Sequence, residues 1–328
     1  MGLKLQHVRD FLSQMQLLKS GNKQELRERI EGALETGAIT DDDLVRLLDS
    51  VAPWGKQHVI LFNGPADPPA EWRTEAAVRA HLRRYKVDGL LNASIPLVLP
   101  TELELSSIDY QRDRLRILAV ERRDYTDRIP DLDTTDHLST GETIEFRAHR
   151  RSIERGLVIF EWNLVANTAM IQITELPSGS DYEAVRDRLA ALLSLWLDIS
   201  RFQSIEVHNS IKKLHQAEDR GSPEARSHGI DYALLSGRKF GARSPTASTS
   251  VVGDKTLDEA FRKLMARGVG HQGNFYWLPA SENPSPGNGL DAEVHVIIVG
   301  NKGRVNFKTD NTEAAIRYVL TRVRALSN

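Results

Sequence analysis

The chain has 328 residues, 40% hydrophobic and 27% charged, with 43 basic against 45 acidic side chains and a formal net charge of −2. This describes a globular chain long enough for two or three domains, and it excludes both a disordered polyelectrolyte and a protein drawn to nucleic acid or anionic membrane by its overall field. The lack of cysteine excludes disulfides, thiolate zinc sites, iron–sulfur clusters and cysteine nucleophiles, which fits a reducing compartment.

The first segment reads as three short helices. Val8, Phe11, Leu12 and Met15 share one face of the first, with Arg9 and Asp10 on the polar side, where a signal peptide would stay apolar. Asn22, with Glu25 three residues on, forms a capping box that opens a second helix; it ends at Gly37 and buries Leu26, Ile30, Ala33 and Leu34. Thr40 and Asp43 repeat that arrangement ahead of Leu44, Leu47 and Leu48. Past Trp54, residues 56–62 form a short apolar strand ending in the turn Asn63-Gly64-Pro65, and a helix runs from about Glu71 to Tyr85.

Strand-like alternation then dominates, at 115–120, 143–149, 156–165 and 169–176, with turns expected at Glu154-Arg155-Gly156 and Asn167-Thr168, the pattern of an antiparallel meander. One long amphipathic helix from about Ser180 to His215, carrying Leu189, Leu192, Leu193, Trp196 and Leu197, is expected to cover a sheet face. Residues 217–229 read as a linker or long loop. Beyond it come a helix near 255–267, strands near 274–278, 292–299 and 304–308, and a last helix from Asn311 to about Leu326. The expected class is α+β: a helical module (1–53), a central antiparallel-sheet domain (54–216), the linker, and a C-terminal α+β unit (230–328). No apolar run approaches the roughly 18 residues of a membrane span, so a cytoplasmic protein, or a nuclear one in a eukaryote, with no membrane contact is expected.

The most specific pattern is Gly21-x-Lys23-x-x-Leu26-x-x-Arg29-Ile30, preceded by the apolar Val8 and Leu12, the Leu17-Leu18 connection and Ser20. Residues 7–34 resemble the SAP domain, a helix–extended–helix DNA-binding module of chromatin and DNA-repair proteins. The resemblance covers about a tenth of the chain. It implies that the second helix and the turn before it approach duplex DNA, with Lys19, Ser20, Gly21, Lys23 and Arg27 as contacts. A glycine turn opening a helix is also expected to offer backbone N–H groups to a phosphate. Leu26, Ile30 and the capping box would equally serve a helical pair that docks another protein, and Glu25, Glu28, Glu31 and Glu35 leave residues 1–35 with 6 basic against 5 acidic groups. Binding through this module is therefore expected to be weak, salt-sensitive and tolerant of sequence.

A second polyanion surface is expected in residues 146–155, where Arg147, Arg150 and Arg151, with Arg155, line a strand–turn–strand; pairing with neighbouring acids is the competing reading. Asp131, Asp133 and Glu145 resemble the acidic core of restriction-like nucleases, although Arg147 stands where that core has a lysine, and this alternative requires the three carboxylates to converge. No phosphate-binding loop, nucleophile elbow, zinc motif or dinucleotide fingerprint occurs, and no cofactor or metal is expected. His208 and His215 lie two helical turns apart without a clustered carboxylate. Of the aromatic triplet Phe275-Tyr276-Trp277, Trp277 is either a core residue or an exposed base-stacking or partner-anchoring group. The expected function is non-enzymatic targeting to double-stranded DNA, with the body supplying oligomerisation or partner docking. A protein–protein adaptor is the first alternative and the metal-dependent nuclease the second.

Overall fold

The computed structural model describes residues 5–96, 98–285 and 287–328. Helices α1 (Leu5–Gln14), α2 (Lys23–Glu35) and α3 (Asp41–Val51) come first. Both expected capping boxes are formed, Asn22 with Glu25 and Thr40 with Asp43. α2 ends two residues before Gly37, whose φ of +73° is a left-handed conformation that disfavours a side chain. Phe11, Leu12, Leu26, Ala33 and Ile39 form a small core of their own, with Val8, Met15, Ile30, Leu34, Leu44 and Leu47 packed around it.

The rest of the described chain is organised by one large antiparallel sheet, which makes the protein α+β. In chain order its elements are β1 (Gln57–Asn63), α4 (Glu75–Arg84), β2 (Glu104–Gln111), β3 (Arg114–Arg128), β4 (Thr134–His137), β5 (Thr143–Phe146), β6 (His149–Asn163), β7 (Thr168–Thr174) and α5 (Tyr182–Leu193). They continue with β8 (Gln203–Ser204), α6 (His208–Asp219), β9 (Ala225–Leu234), β10 (Lys239–Arg243), α7 (Lys255–Arg267), β11 (Gly268–Trp277), β12 (Val294–Val299), β13 (Arg304–Phe307) and α8 (Glu313–Ser327). The order across the sheet is β10-β9-β11-β12-β13-β1-β7-β6-β3-β2, with β8 also on β1; β4 and β5 form a separate ribbon.

β1 is the seam between the two halves. Ile60 faces Arg304 of β13 on one side and Ile171 of β7 on the other, so the strands expected in separate central and C-terminal units are neighbours in one sheet. Successive residues of a strand point to opposite faces. Val59 and Leu61 join the core built with α6, α7 and α8, whereas Ile60 and Phe62 join the core built with α4 and α5. The two halves of the sheet are thus covered by helices on opposite faces.

This arrangement explains two departures from expectation. The single long helix is broken into α5 and α6 because their apolar stripes belong to opposite faces, and the chain crosses between them through β8, paired to Phe62 and Asn63. The expected linker is mostly ordered: α6 runs through Asp219 and β9 begins at Ala225. A third departure concerns Gly156, which is no turn residue. β6 runs unbroken from His149 to Asn163, and Gly156 leaves room for the Arg123 side chain, whose Nε would lie 2.3 Å from a Cβ built there. Beyond that point β3 and β6 continue as a two-stranded arm capped by the β4–β5 ribbon.

Candidate nucleic-acid interface

Between α1 and α2 the chain has no regular secondary structure from Leu17 to Ser20, and two arginines hold it. Arg29 donates through Nη1 to the carbonyls of Leu18 (2.6 Å) and Ser20 (2.9 Å), and Arg9 donates to that of Gly21 (3.3 Å). Arg29 is therefore a structural clamp, a role its place in the sequence pattern did not reveal. Gly21 has φ +131°, a conformation that favours glycine, and a Cβ there would meet Glu25 Oε2 at 2.6 Å and push that carboxylate off its bond to Asn22 N–H.

Lys19, Ser20 and Lys23 are exposed around this turn, and neither lysine forms an ion pair among the described residues. Arg27 is exposed but engaged, its Nε 2.8 Å from Glu31 Oε1 one turn on. The expected backbone phosphate site is closed by the protein itself. The Asn22 side chain accepts from the N–H groups of Gln24 (2.9 Å) and Glu25 (3.1 Å), and Glu25 accepts from Asn22 N–H (2.9 Å), placing a carboxylate where an anion was expected. The charge available to a duplex is then that of the two lysine side chains.

On the arm, Arg150 and Arg151 lie on β6 and Arg147 in the connection before it, rather than on two strands of one hairpin. Arg150 sits opposite Asp127 and pairs with it at 3.3 Å, and Arg147 pairs with Glu145 at 3.6 Å. Arg155 turns to the N-terminal helices, its Nη1 2.9 Å from Asp49 of α3, which pins the base of the arm to them. Arg151 forms no ion pair among the described residues. Leu132, Ile144, Phe146 and Ile153 stand 64%, 40%, 52% and 58% exposed on this arm, more apolar surface than a two-stranded ribbon can bury alone.

The three carboxylates of the nuclease alternative do not converge. Asp133 accepts from Ala148 N–H (2.9 Å) and pairs with Arg128, both of which hold its carboxyl below the ordinary range, while Glu145 pairs with Arg147. Among the described residues no three His, Asp or Glu side chains lie close enough together to hold a metal. His208 Nδ1 meets Gly270 O at 2.7 Å and the buried His215 Nδ1 meets Tyr232 Oη at 2.9 Å, so both serve packing. A cleft of about 260 Å³ between the N-terminal helices and the sheet is lined by His7, Trp54, Tyr125, Glu154 and Asp310 among others, without a nucleophile–base pair. Phe275 and Trp277 are fully buried, and of the triplet only Tyr276 reaches the opposite face of the sheet.

No family model matches this chain, and no curated protein matches it either. Among the described residues no helix is long and apolar enough to cross a membrane.

Proposed function

We propose that the protein is a non-enzymatic DNA-targeting protein in which the N-terminal helical module makes weak, sequence-tolerant contact with duplex DNA. The observation that carries this reading is the turn between α1 and α2: Arg29 and Arg9 donate to its carbonyls, and Lys19 and Ser20 on it and Lys23 at the start of α2 are exposed, neither lysine with an acidic partner among the described residues. A preordered turn loses little entropy on binding, and point charges on phosphates bind without reading bases. The resemblance of residues 7–34 to the SAP module supports the same reading. With Arg27 tied to Glu31 and the helix N-terminus occupied by Asn22 and Glu25, few phosphates are neutralised. Affinity then falls with salt at a shallow slope of about −0.9 per phosphate contacted.

A second reading concerns the arm. Its exposed apolar tip favours docking to a protein partner or a second copy of the chain, and linking several weak modules would raise avidity on one duplex. Light scattering of the wild type and an Ile144→Ser/Phe146→Ser variant tests this. A larger particle reduced to monomer by the double substitution supports self-association; a wild-type monomer leaves a different protein as the arm's partner. The DNA reading is tested by titrating the protein into labelled duplex with a Lys19→Ala/Lys23→Ala variant alongside: salt-dependent binding lost in the variant is expected, and equal binding refutes it.

A further inference from the structure

Helices α6, α7 and α8 cover one face of the β9–β13 half of the sheet, and the other face is bordered at its β13–β1 end by the start of α5. Its residues are set by register. One row across four strands reads Arg226 (β9), Tyr276 (β11), His295 (β12) and Lys308, just past β13 and bonded through its N–H to His295 O. The next reads Asn274, Ile297, Asn306 and His58 of β1. The third brings Gln272, Val299 and Arg304 into line.

These side chains are only half-buried. Tyr276 and His295 stack at 4.4 Å and 13°, with the Arg226 guanidinium 5.3 Å from the Tyr276 ring. At the far end His58 stacks on Tyr182 of α5 at 3.5 Å and 5°, with Arg304 5.7 Å from the Tyr182 ring. The polar groups of this surface are the His295 imidazole and Asn274 amide, bonded to each other at 2.7 Å through Nε2 and Oδ1, the Asn306 amide, the Tyr276 phenol and the cations. Four cations, Arg226, Lys302, Arg304 and Lys308, meet two acids: Glu293, 2.7 Å from Arg226, and Glu183, 2.5 Å from Lys302 and 3.7 Å from Arg304. Lys308 forms no ion pair among the described residues; Arg226 also donates through Nη2 to Ala247 O at 3.1 Å, and among the described residues His58 Nδ1, His228 Nδ1, Arg226 Nε and Arg304 Nε are buried atoms without a hydrogen-bond partner.

Burial holds both His58 and His295 below the ordinary imidazole range, His58 at about 3, with the charges of Arg304 and then Lys308 acting on the former and of His228 and then Lys308 on the latter. At neutral pH both are uncharged. Such a surface matches a chain that carries negative charge at intervals and hydrogen-bonding edges between them. Arg226 and Lys308 lie three strand spacings apart, ~14 Å. A duplex buries its base edges in grooves that a flat sheet does not enter, whereas an unpaired strand exposes them.

We propose that this sheet face binds a single nucleic-acid strand, its phosphates on Arg226, Lys308 and Arg304 and its base edges on Asn306 and on the bonded pair His295 and Asn274. The site is separate from the N-terminal module and stands or falls independently of it. The test is fluorescence anisotropy of the full chain with a short labelled mixed-sequence single strand at low salt, with and without excess unlabelled duplex. Wild type is expected to bind, to be displaced poorly by duplex, and to lose about tenfold in affinity on Lys308→Glu, while Lys19→Ala/Lys23→Ala leaves this binding unchanged. Absence of wild-type binding, displacement by duplex as efficient as by single strand, or a folded Lys308→Glu protein of unchanged affinity overturns the proposal. Photo-crosslinking of the wild type to a thiouridine-containing strand gives an answer even where Lys308→Glu fails to fold. Adducts on residues 268–308 are expected, and adducts confined to residues 5–35 contradict the proposal.

Discussion

Arg123 is 4% exposed where β3 leaves the sheet to become the arm, and its guanidinium makes four bonds: to Glu121 Oε1 (2.8 Å), Thr174 O (2.7 Å), Thr174 Oγ1 (2.8 Å) and Glu175 O (3.0 Å). Arg123→Ala removes the partner of a buried carboxylate and leaves two carbonyls short of a donor, a change that costs about 3–5 kcal/mol in comparable sites. The lower end applies, because Arg188 also reaches Glu121 at 2.9 Å and keeps it paired.

Gly156→Ala attacks the same group from across the ladder. The new Cβ would sit 2.3 Å from Arg123 Nε and 2.6 Å from Cζ, so the guanidinium must leave its four partners, and the cost should approach that of Arg123→Ala. Once Arg123 is alanine the obstruction is gone, and the same substitution should stabilise by about 0.5–1 kcal/mol, since alanine loses less backbone entropy in a strand than glycine. Urea unfolding of the wild type, both single variants and the double variant, followed by tryptophan fluorescence, measures this cycle. Simple addition of the two costs in the double variant would refute the account of Gly156 as space reserved for Arg123.

Three further outcomes follow from the same structure. Leu26→Ala empties a fully buried site in the small N-terminal core at about 2–5 kcal/mol, enough to unfold a module of this size, so hydrogen exchange should become fast over residues 5–51 while β1, β7 and β12 stay protected. His58 and His215 have folded pKa values lowered to about 3 and about 4, each mainly by burial, so below their ordinary pKa near 6.5 the unfolded chain binds protons that the folded chain does not. Stability is full above pH ~6.5 and falls as pH drops towards 4, by about 1.4 kcal/mol per histidine at pH ~5.5; urea midpoints at several pH values should show this, with a smaller slope in His215→Gln. Arg29→Met should lower duplex affinity although it removes no DNA-facing charge, because Leu18 and Ser20 lose their clamp; unchanged affinity would separate the turn's order from its binding.

Local features were legible in the sequence wherever one side chain answers a nearby backbone group. The Asn22–Glu25 and Thr40–Asp43 boxes, the α7 span and the core roles of Leu12 and Leu26 all depend on residues within a turn or two of each other. The continuous sheet was not legible, because Ile60 meets Arg304 across most of the chain length and nothing near either residue encodes that pairing. Gly156 looked like a turn since the residue it accommodates, Arg123, lies on another strand. Of the sheet face beside β12 only the strand near 292–299 was legible, because the registers of β1, β11, β12 and β13 are what assemble Tyr276, His58 and Lys308 beside His295 and Ile297. In the N-terminal turn the lysines were legible from the motif, whereas the closing of the helix end by Glu25 required the geometry.

The most direct test of the central claim is anisotropy of the full chain against labelled duplex DNA at two salt concentrations, comparing wild type with Lys19→Ala/Lys23→Ala. The account predicts weak wild-type binding that declines with salt and is largely lost in the variant, with its melting temperature unchanged. Wild-type binding that ignores salt, or a variant that binds as well as the wild type, would contradict it.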